Sequence, residues 1–207
     1  MNKKTEKYLL STLIVLFLLI TLGVISHNPL IERLDNISAS IMTIISSPTL
    51  NSFMISITNI GSGIGTIFIF AIFAIYLFLK KNRHSLYTLT LAAGSAVVLN
   101  EIIKLLVERV RPVSRLITET DFSFPSGHAT ISIIFFLSSL FLIAPSILNR
   151  YLRISFQILT TIVFLLVAMS RIYLSVHWAS DVLASFVLAS ICFLTSWICV
   201  SRFVSVA

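Results

Sequence analysis

Residues 154–200 read ISFQILTTIVFLLVAMS-RIYLSVH-WASDVLASFVLASICFLTSWICV, and the polar joint between the two apolar runs decides the fold. Each run is long enough to cross the roughly 30 Å of hydrocarbon in a bilayer. Each therefore reads as a helix whose backbone hydrogen bonds are internal, as hydrocarbon demands. The joint carries Arg171 and His177, and Asp181 follows at the start of the second run. Charges at this depth are costly and by default mark a functional site.

The same pattern extends outward over the chain. Residues 8–25, 53–79, 86–107 and 127–143 are further apolar runs, which makes six with the two above. They predict an all-α, polytopic membrane protein with six transmembrane helices. Of the 207 residues, 57% are hydrophobic and 11% charged. A soluble domain carries about twice that charged fraction, and the length leaves room for a single integral membrane domain over residues 1–207. Between the first two runs, Leu30, Leu34, Ile37, Ile41, Ile44 and Ile45 recur at helical spacing among Glu32, Arg33, Asp35, Asn36 and Ser38. This predicts an amphipathic helix on the membrane surface; a loop with a few helical turns is the alternative. The first run follows Lys3, Lys4 and Lys7 and precedes no small-x-small cleavage site, so it reads as a retained helix rather than a signal peptide.

With six spans, Lys3, Lys4, Lys7, Lys80, Lys81, Arg83, Arg150, Arg153 and Arg202 share one side, and every acid except Glu6 falls on the other. The positive-inside rule then puts both termini in the cytoplasm. The net charge of +7 is spread over helix ends, a pattern that does not describe a nucleic-acid surface. Cys192 and Cys199 lie on one helix face and cannot easily bridge; they read as small packing residues.

Three polar groups then collect on the extracytoplasmic side. Lys104 and Arg111 are seven apart, nearly two helical turns and about 10 Å along the axis, with Pro112 ending the helix. Together they can grip a phosphate; alternatively Lys104 pairs with Glu101 or Glu108 and Arg111 sits among headgroups. Pro125-Ser126-Gly127-His128 opens the fourth run. Ser126 is a natural N-cap, Gly127 admits close approach of a ligand, and free N–H groups at a helix start attract anions. An ordinary capped helix with an interfacial histidine explains the same residues. His177 and Asp181 are four apart and share a helix face, so the carboxylate can accept from one imidazole nitrogen and leave the other free to attack. A structural His–Asp pair, with Trp178 anchored at the interface, is the plain alternative. Taken together, three cations and a helix N-terminus suit phosphoryl transfer, which is chiefly positioning and charge stabilisation. No carboxylate cluster suited to Mg²⁺ and no Zn²⁺ ligand set is apparent. Neither a metal nor a cofactor is therefore expected.

The order K-x6-R-P, P-S-G-H and S-R-x5-H-x3-D, here Lys104–Arg111-Pro112, Pro125–His128 and Ser170-Arg171–His177–Asp181, resembles the three-part signature of the type 2 phosphatidic acid phosphatase family. The resemblance implies a metal-independent lipid phosphatase. His177 would be the nucleophile that forms a phosphohistidine, and Asp181 would orient it. His128 would be the acid on the leaving group and then the base on water. Lys104, Arg111, Ser126, Gly127 and Arg171 would bind the phosphate. Among family members the chain looks most like the compact bacterial lipid phosphatases. The expected partners are the bilayer and a lipid phosphate, phosphatidylglycerophosphate first and undecaprenyl pyrophosphate as the alternative, with no nucleic acid; the oligomeric state is unknown. A membrane transporter is the alternative of another class, but its charges would gather near the midplane and its halves would repeat. Gly61-Ser62-Gly63-Ile64-Gly65 reads as close helix packing. His27 and His84 have no partners nearby in sequence and are expected at interfaces, and Glu119 and Asp121 are expected in a solvated loop.

Overall fold

The computed structural model describes residues 2–204, all helices and connections with no strand among them. The helices are α1 (Lys3–Ile25), α2 (Pro29–Ile45), α3 (Pro48–Ile60), α4 (Gly63–Leu79), α5 (Arg83–Val107), α6 (Gly127–Ser138), α7 (Arg150–Tyr173) and α8 (Ala179–Val204). A π turn, Ser139–Ile143, and a short 3-10 turn, Ala144–Ser146, extend α6. Short polar residues set the starts. Asn2, Asn28, Ser47, Ser62, Asn82, Ser126 and Asn149 each accept a backbone N–H of the helix they open, and proline follows the cap in α2 and α3. These are the residue types that satisfy orphan donors at a helix start.

The inner helices are α6 and α8. α8 packs on α1, α5 and α6, and α6 packs on α5, α7 and α8. Leu77, Leu89, Ile133, Ile134, Phe135, Leu142 and Ala189 form the core where they meet. Ala92, Ala93 and Ala96 on α5 and Ala184 and Ala189 on α8 are buried. Small side chains let helix backbones approach closely where lipid offers no hydrophobic drive to associate. Many large apolar residues of α1 and α4 stay uncovered by protein, among them Leu18, Leu19, Leu22, Ile64, Ile67 and Phe68. That is the expected outside of a bundle in lipid.

Two features differ from the sequence expectation. The run 53–79 is not one straight span: α3 and α4 meet at a bend of 50°, so five helices are long and apolar enough to cross alone, and six spans result when the bent pair counts as one. The break has a local cause. Ser62 caps α4 by accepting from Gly65 N at 3.3 Å, and the Gly61 N–H turns back to Thr58 O at 3.0 Å. Gly61 also lies tight against α7, since a Cβ there would stand 2.7 Å from Val167 Cγ1 and 3.2 Å from Ser132 Oγ. His27 does have a partner nearby in sequence, its Nδ1 lying 3.2 Å from Glu32 Oε1; the partners of His84 are remote in the chain, Nε2 lying 2.9 Å from Ser201 Oγ and the ring edge-on to Trp197.

α2 is the amphipathic helix anticipated from the sequence. Leu30, Ile37, Ile41, Ile44 and Ile45 are uncovered by protein, while Asp35 is its only buried residue. α2 contacts α8, α7 and α1. The end of α5, the start of α6, the end of α7 and the start of α8 lie at the α2 end of the bundle.

Because Val167 is β-branched and fully buried, it cannot swing away from a new methyl at Gly61. Gly61→Ala is expected to lower stability by about 1–3 kcal/mol, the usual cost of overpacking. A melting curve in detergent measures it, and Val167→Ala in the same chain should restore part of the loss.

Candidate active site

The polar residues at this end lie where helices begin or stop. Lys104 is in the last turn of α5, and Glu108 ends that helix in the left-handed conformation, its N–H bonding Lys104 O. The segment from 108 to 126 carries Arg111 and then folds over the end of the bundle. Ser126 is fully buried and caps α6 through Ala129 N at 3.5 Å. A Cβ on Gly127 would stand 3.4 Å from Asn100 Oδ1 and 3.9 Å from Lys104 Nζ, so the glycine lies between α6 and these side chains of α5. Arg171 is in the last turn of α7, His177 in the connection, and Asp181 in the first turn of α8.

His177 is held in one tautomer. Its Nδ1 is 2.7 Å from the carbonyl oxygen of Ser123, and because a carbonyl only accepts, Nδ1 carries the proton. Nε2 is therefore bare, and Arg111 Nη1 donates to it at 2.9 Å. Burial first, and then the charges of Arg111 and Arg171, hold the imidazole well below its usual pKa range. At neutral pH the ring is uncharged and presents a lone pair toward the cations. Asp181 Oδ2 lies 3.5 Å from Nδ1, too far for a good hydrogen bond. The sequence spacing anticipated Asp181 as the acceptor, whereas the Ser123 carbonyl is the nearer one. Asp181 instead accepts from Trp178 N at 2.9 Å and from Arg109 Nη1 at 2.5 Å.

Arg109 is a residue that the sequence did not single out. Its Nη2 donates to Asp35 Oδ2 at 2.6 Å, and its Nη1 also reaches Ser180 Oγ at 2.7 Å. Asp35 accepts from Ser180 N at 2.9 Å and from Ser180 Oγ at 2.8 Å. The guanidinium lies 5.5 Å from the Trp178 ring centroid. A carboxylate of α2 thereby anchors the surface helix to the start of α8, behind His177. Nothing in the spacing of Asp35 and Arg109 betrays a contact between residues so far apart in the chain.

The cations are not in headgroups or bulk solvent. Lys104, Arg111 and Arg171 are all buried, and two acids from the 108–126 segment meet them. Asp121 pairs with Lys104 and, at 2.6 Å, with Arg111; Glu119 pairs with Arg171. Glu101 stands 3.5 Å from Lys104 as well, as one sequence alternative had it. Arg171 also donates to Thr58 Oγ1 at 2.7 Å, and its buried Nε has no partner among the described residues. Glu119 and Asp121, expected in a solvated loop, are ion-paired instead, because three buried guanidinium and ammonium groups need counter-charge. Burial alone would raise the Asp121 carboxyl, but Lys104 and Arg111 outweigh it and hold it at about 2. Burial likewise opposes ionisation of Glu119, and Arg171 overcomes it to hold that carboxyl below its ordinary value. The charges of Arg171, Lys104 and Arg111 also act on His128, whose ring makes no hydrogen bond among the described residues. The arrangement is an unprotonated imidazole nitrogen facing cations whose present partners include two carboxylates of the 108–126 segment, Asp121 and Glu119. A phosphate can replace those carboxylates charge for charge. Among the described residues, no three His, Cys, Asp or Glu side chains are grouped as metal ligands.

Comparison with known proteins agrees with this architecture. The PAP2 superfamily profile matches residues 85–205. A phosphatidylglycerophosphatase B from Bacillus subtilis is 30% identical over 86% of this chain and 88% of its own length. An undecaprenyl-diphosphatase from Sulfolobus acidocaldarius is 32% identical over 69% of this chain and 66% of its own. The crystal structure of a transmembrane PAP2-type phosphatidylglycerolphosphate phosphatase from Bacillus subtilis superposes with a TM-score of 0.79, covering 95% of this chain and 96% of that one at 27% identity.

Two substitutions test the ion pairs. Asp121→Asn leaves Lys104 and Arg111 without a competing carboxylate, so orthovanadate should inhibit several-fold more tightly; weaker inhibition would mean that the carboxylate orders the cations rather than competing for them. Asp35→Ala leaves the partly buried Arg109 with only one of its two carboxylate partners, and breaking such a pair costs up to about 3 kcal/mol, read as a lower melting temperature in detergent.

Proposed function

We propose that this chain, which belongs to the PAP2 superfamily and is a lipid phosphatase of the membrane, hydrolyses phosphatidylglycerophosphate to phosphatidylglycerol through a phosphohistidine. The observation that carries the reading is the His177 ring: Nδ1 is committed to Ser123 O, and Nε2 is bare at 2.9 Å from Arg111. A nucleophile needs an unprotonated nitrogen at the reacting centre and the other nitrogen fixed; a phosphate that draws Arg111 onto its own oxygens frees the Nε2 lone pair for attack.

In the first step His177 Nε2 forms a bond to phosphorus while the bond from phosphorus to the glycerol oxygen breaks. His128, protonated once the bound phosphate offsets the neighbouring cations, gives its proton to that oxygen, and phosphatidylglycerol leaves. In the second step His128 takes a proton from water as the water oxygen attacks phosphorus. The N–P bond breaks, inorganic phosphate departs, and both histidines return to their starting states. Lys104, Arg111 and Arg171 meet the charge on the phosphoryl oxygens, aided by Ser126, Gly127 and the N-terminus of α6. Asp181 holds the start of α8 and stabilises charge near Nδ1. Because side-chain cations supply the electrostatics, turnover requires no metal. The charge distribution supports a site on the extracytoplasmic face with both termini in the cytoplasm. The Sulfolobus relative supports a second reading, hydrolysis of undecaprenyl pyrophosphate, and rates on the two lipids at equal mole fraction in detergent decide between them.

His177→Ala should abolish phosphate release and acid-labile phosphate labelling of the protein. His128→Ala should slow an alkyl phosphate by about 10²–10⁴, the range of general acid catalysis, and an aryl phosphate much less, because a phenolate needs no proton to leave. Wild-type release should be unaffected by EDTA. Full turnover of the lipid by His177→Ala would falsify the mechanism.

A further inference from the structure

Asn100 lies one turn before Lys104 on α5 and is 3% exposed. Its Nδ2 donates to Thr130 Oγ1 at 3.0 Å. The single proton of Thr130 goes to Ser126 O at 2.9 Å, so Thr130 can only accept from Asn100. That fixes the orientation of the amide, which otherwise has two ways to lie. The carbonyl oxygen is turned the other way, to within 3.4 Å of the position a Cβ would take on Gly127. Oδ1 has no hydrogen-bond donor among the described residues. Unmatched buried acceptors destabilise a fold, and in an apolar bundle a leucine would fill the same position without that cost.

The same residue lines a cavity of about 210 Å³, together with Gly61, Thr66, Glu101, Gly127 and His128. The acceptors of Asn100 and Glu101 therefore share a cavity with the histidine assigned to the leaving group. The opposite chemistry lies next to it: Lys104, Arg111 and Arg171 are donors only. Phosphate oxygens belong with the donors and are repelled by an amide oxygen. A group that satisfies Asn100 must bring a proton of its own.

We propose that Asn100 determines specificity by accepting a hydrogen bond from a hydroxyl on the leaving alcohol, next to the phosphoester oxygen. The inference rests on the reading of His128 as the acid for that alcohol, and it assigns the substrate class as phosphate monoesters of a vicinal polyol, such as a glycerol headgroup. Phosphatidic acid carries an ester at the corresponding carbon and offers no donor. In a polyprenyl diphosphate the leaving group is itself a phosphate, whose oxygens would face the amide oxygen. A site built to bond a hydroxyl discriminates against analogues that lack it, because its polar group is then left unpaired.

The test uses the full chain in mixed micelles and compares phosphatidylglycerophosphate with its 2-deoxy headgroup analogue, in which propanediol replaces the terminal glycerol. The wild type should favour the hydroxyl-bearing lipid by roughly tenfold or more in kcat/KM, the scale of one well-placed hydrogen bond to a buried group. Asn100→Leu should bring that ratio close to one, and Thr130→Val, which frees the amide to turn, should lower it part of the way. Equal wild-type rates on the two lipids overturn the proposal without any variant. An Asn100→Leu enzyme slowed alike on both, with the ratio kept, also overturns it and assigns the amide to the shared water or to packing. If the wild type turns over neither glycerol-phosphate lipid but does hydrolyse undecaprenyl pyrophosphate, the substrate reading of the preceding section fails, and this inference fails with it.

Discussion

Three buried cations at one end of an apolar bundle set the terms for everything around them. Lys104, Arg111 and Arg171 come from the end of α5, the segment after it and the end of α7, and each would be prohibitively costly at low dielectric without an anion. The 108–126 segment meets that requirement by placing Asp121 and Glu119 on them. Both carboxyls are held below their ordinary pKa values, so the pairing persists through the neutral range. The stability it contributes is complete above the ordinary carboxylate values near pH 4 and is lost as the pH falls toward the folded value of Asp121, about 2. Protonation therefore does not clear the site at physiological pH; a competing anion must.

The same electrostatic logic fixes the geometry of His177. His177 is buried beside Arg111, an environment that disfavours imidazolium. Neutrality in turn demands one tautomer, and the Ser123 carbonyl selects it. Ser123 is tied to the preceding segment, with its N–H on Arg109 O at 2.8 Å. The fold over the cations and the orientation of the histidine are thus one piece of structure. Behind it, Arg109 joins Asp181 to Asp35, so the surface helix α2 is seated by a buried carboxylate while its apolar residues remain free for lipid.

Much of this was legible in the sequence, for identifiable reasons. Apolar run length reports the hydrocarbon thickness, so the membrane helices and the amphipathic α2 could be read directly. The bend within 53–79 was not, because Gly61-Ser62 is compatible with a continuous helix and breaks it only where Ser62 caps a new start against packed neighbours. Lys104, Arg111, His128, Arg171, His177 and Asp181 stood out because charges and histidines are rare in such a chain. Glu119 and Asp121 read as a solvated loop, Asp35 as part of the polar face of α2, and nothing singled out Arg109. Their partners lie on other helices, and local spacing carries no information about those contacts.

The sequence by itself therefore determined the medium, the helices and the inventory of chemistry, since each of these follows from a residue's own polarity and its near neighbours. Only the tertiary structure decided which acid neutralises which cation, that Ser123 O rather than Asp181 accepts the hydrogen bond from His177 Nδ1, and that Asn100 turns an unmatched oxygen toward the cavity of His128. Those outcomes depend on distances between separate helices, and such distances are set by packing.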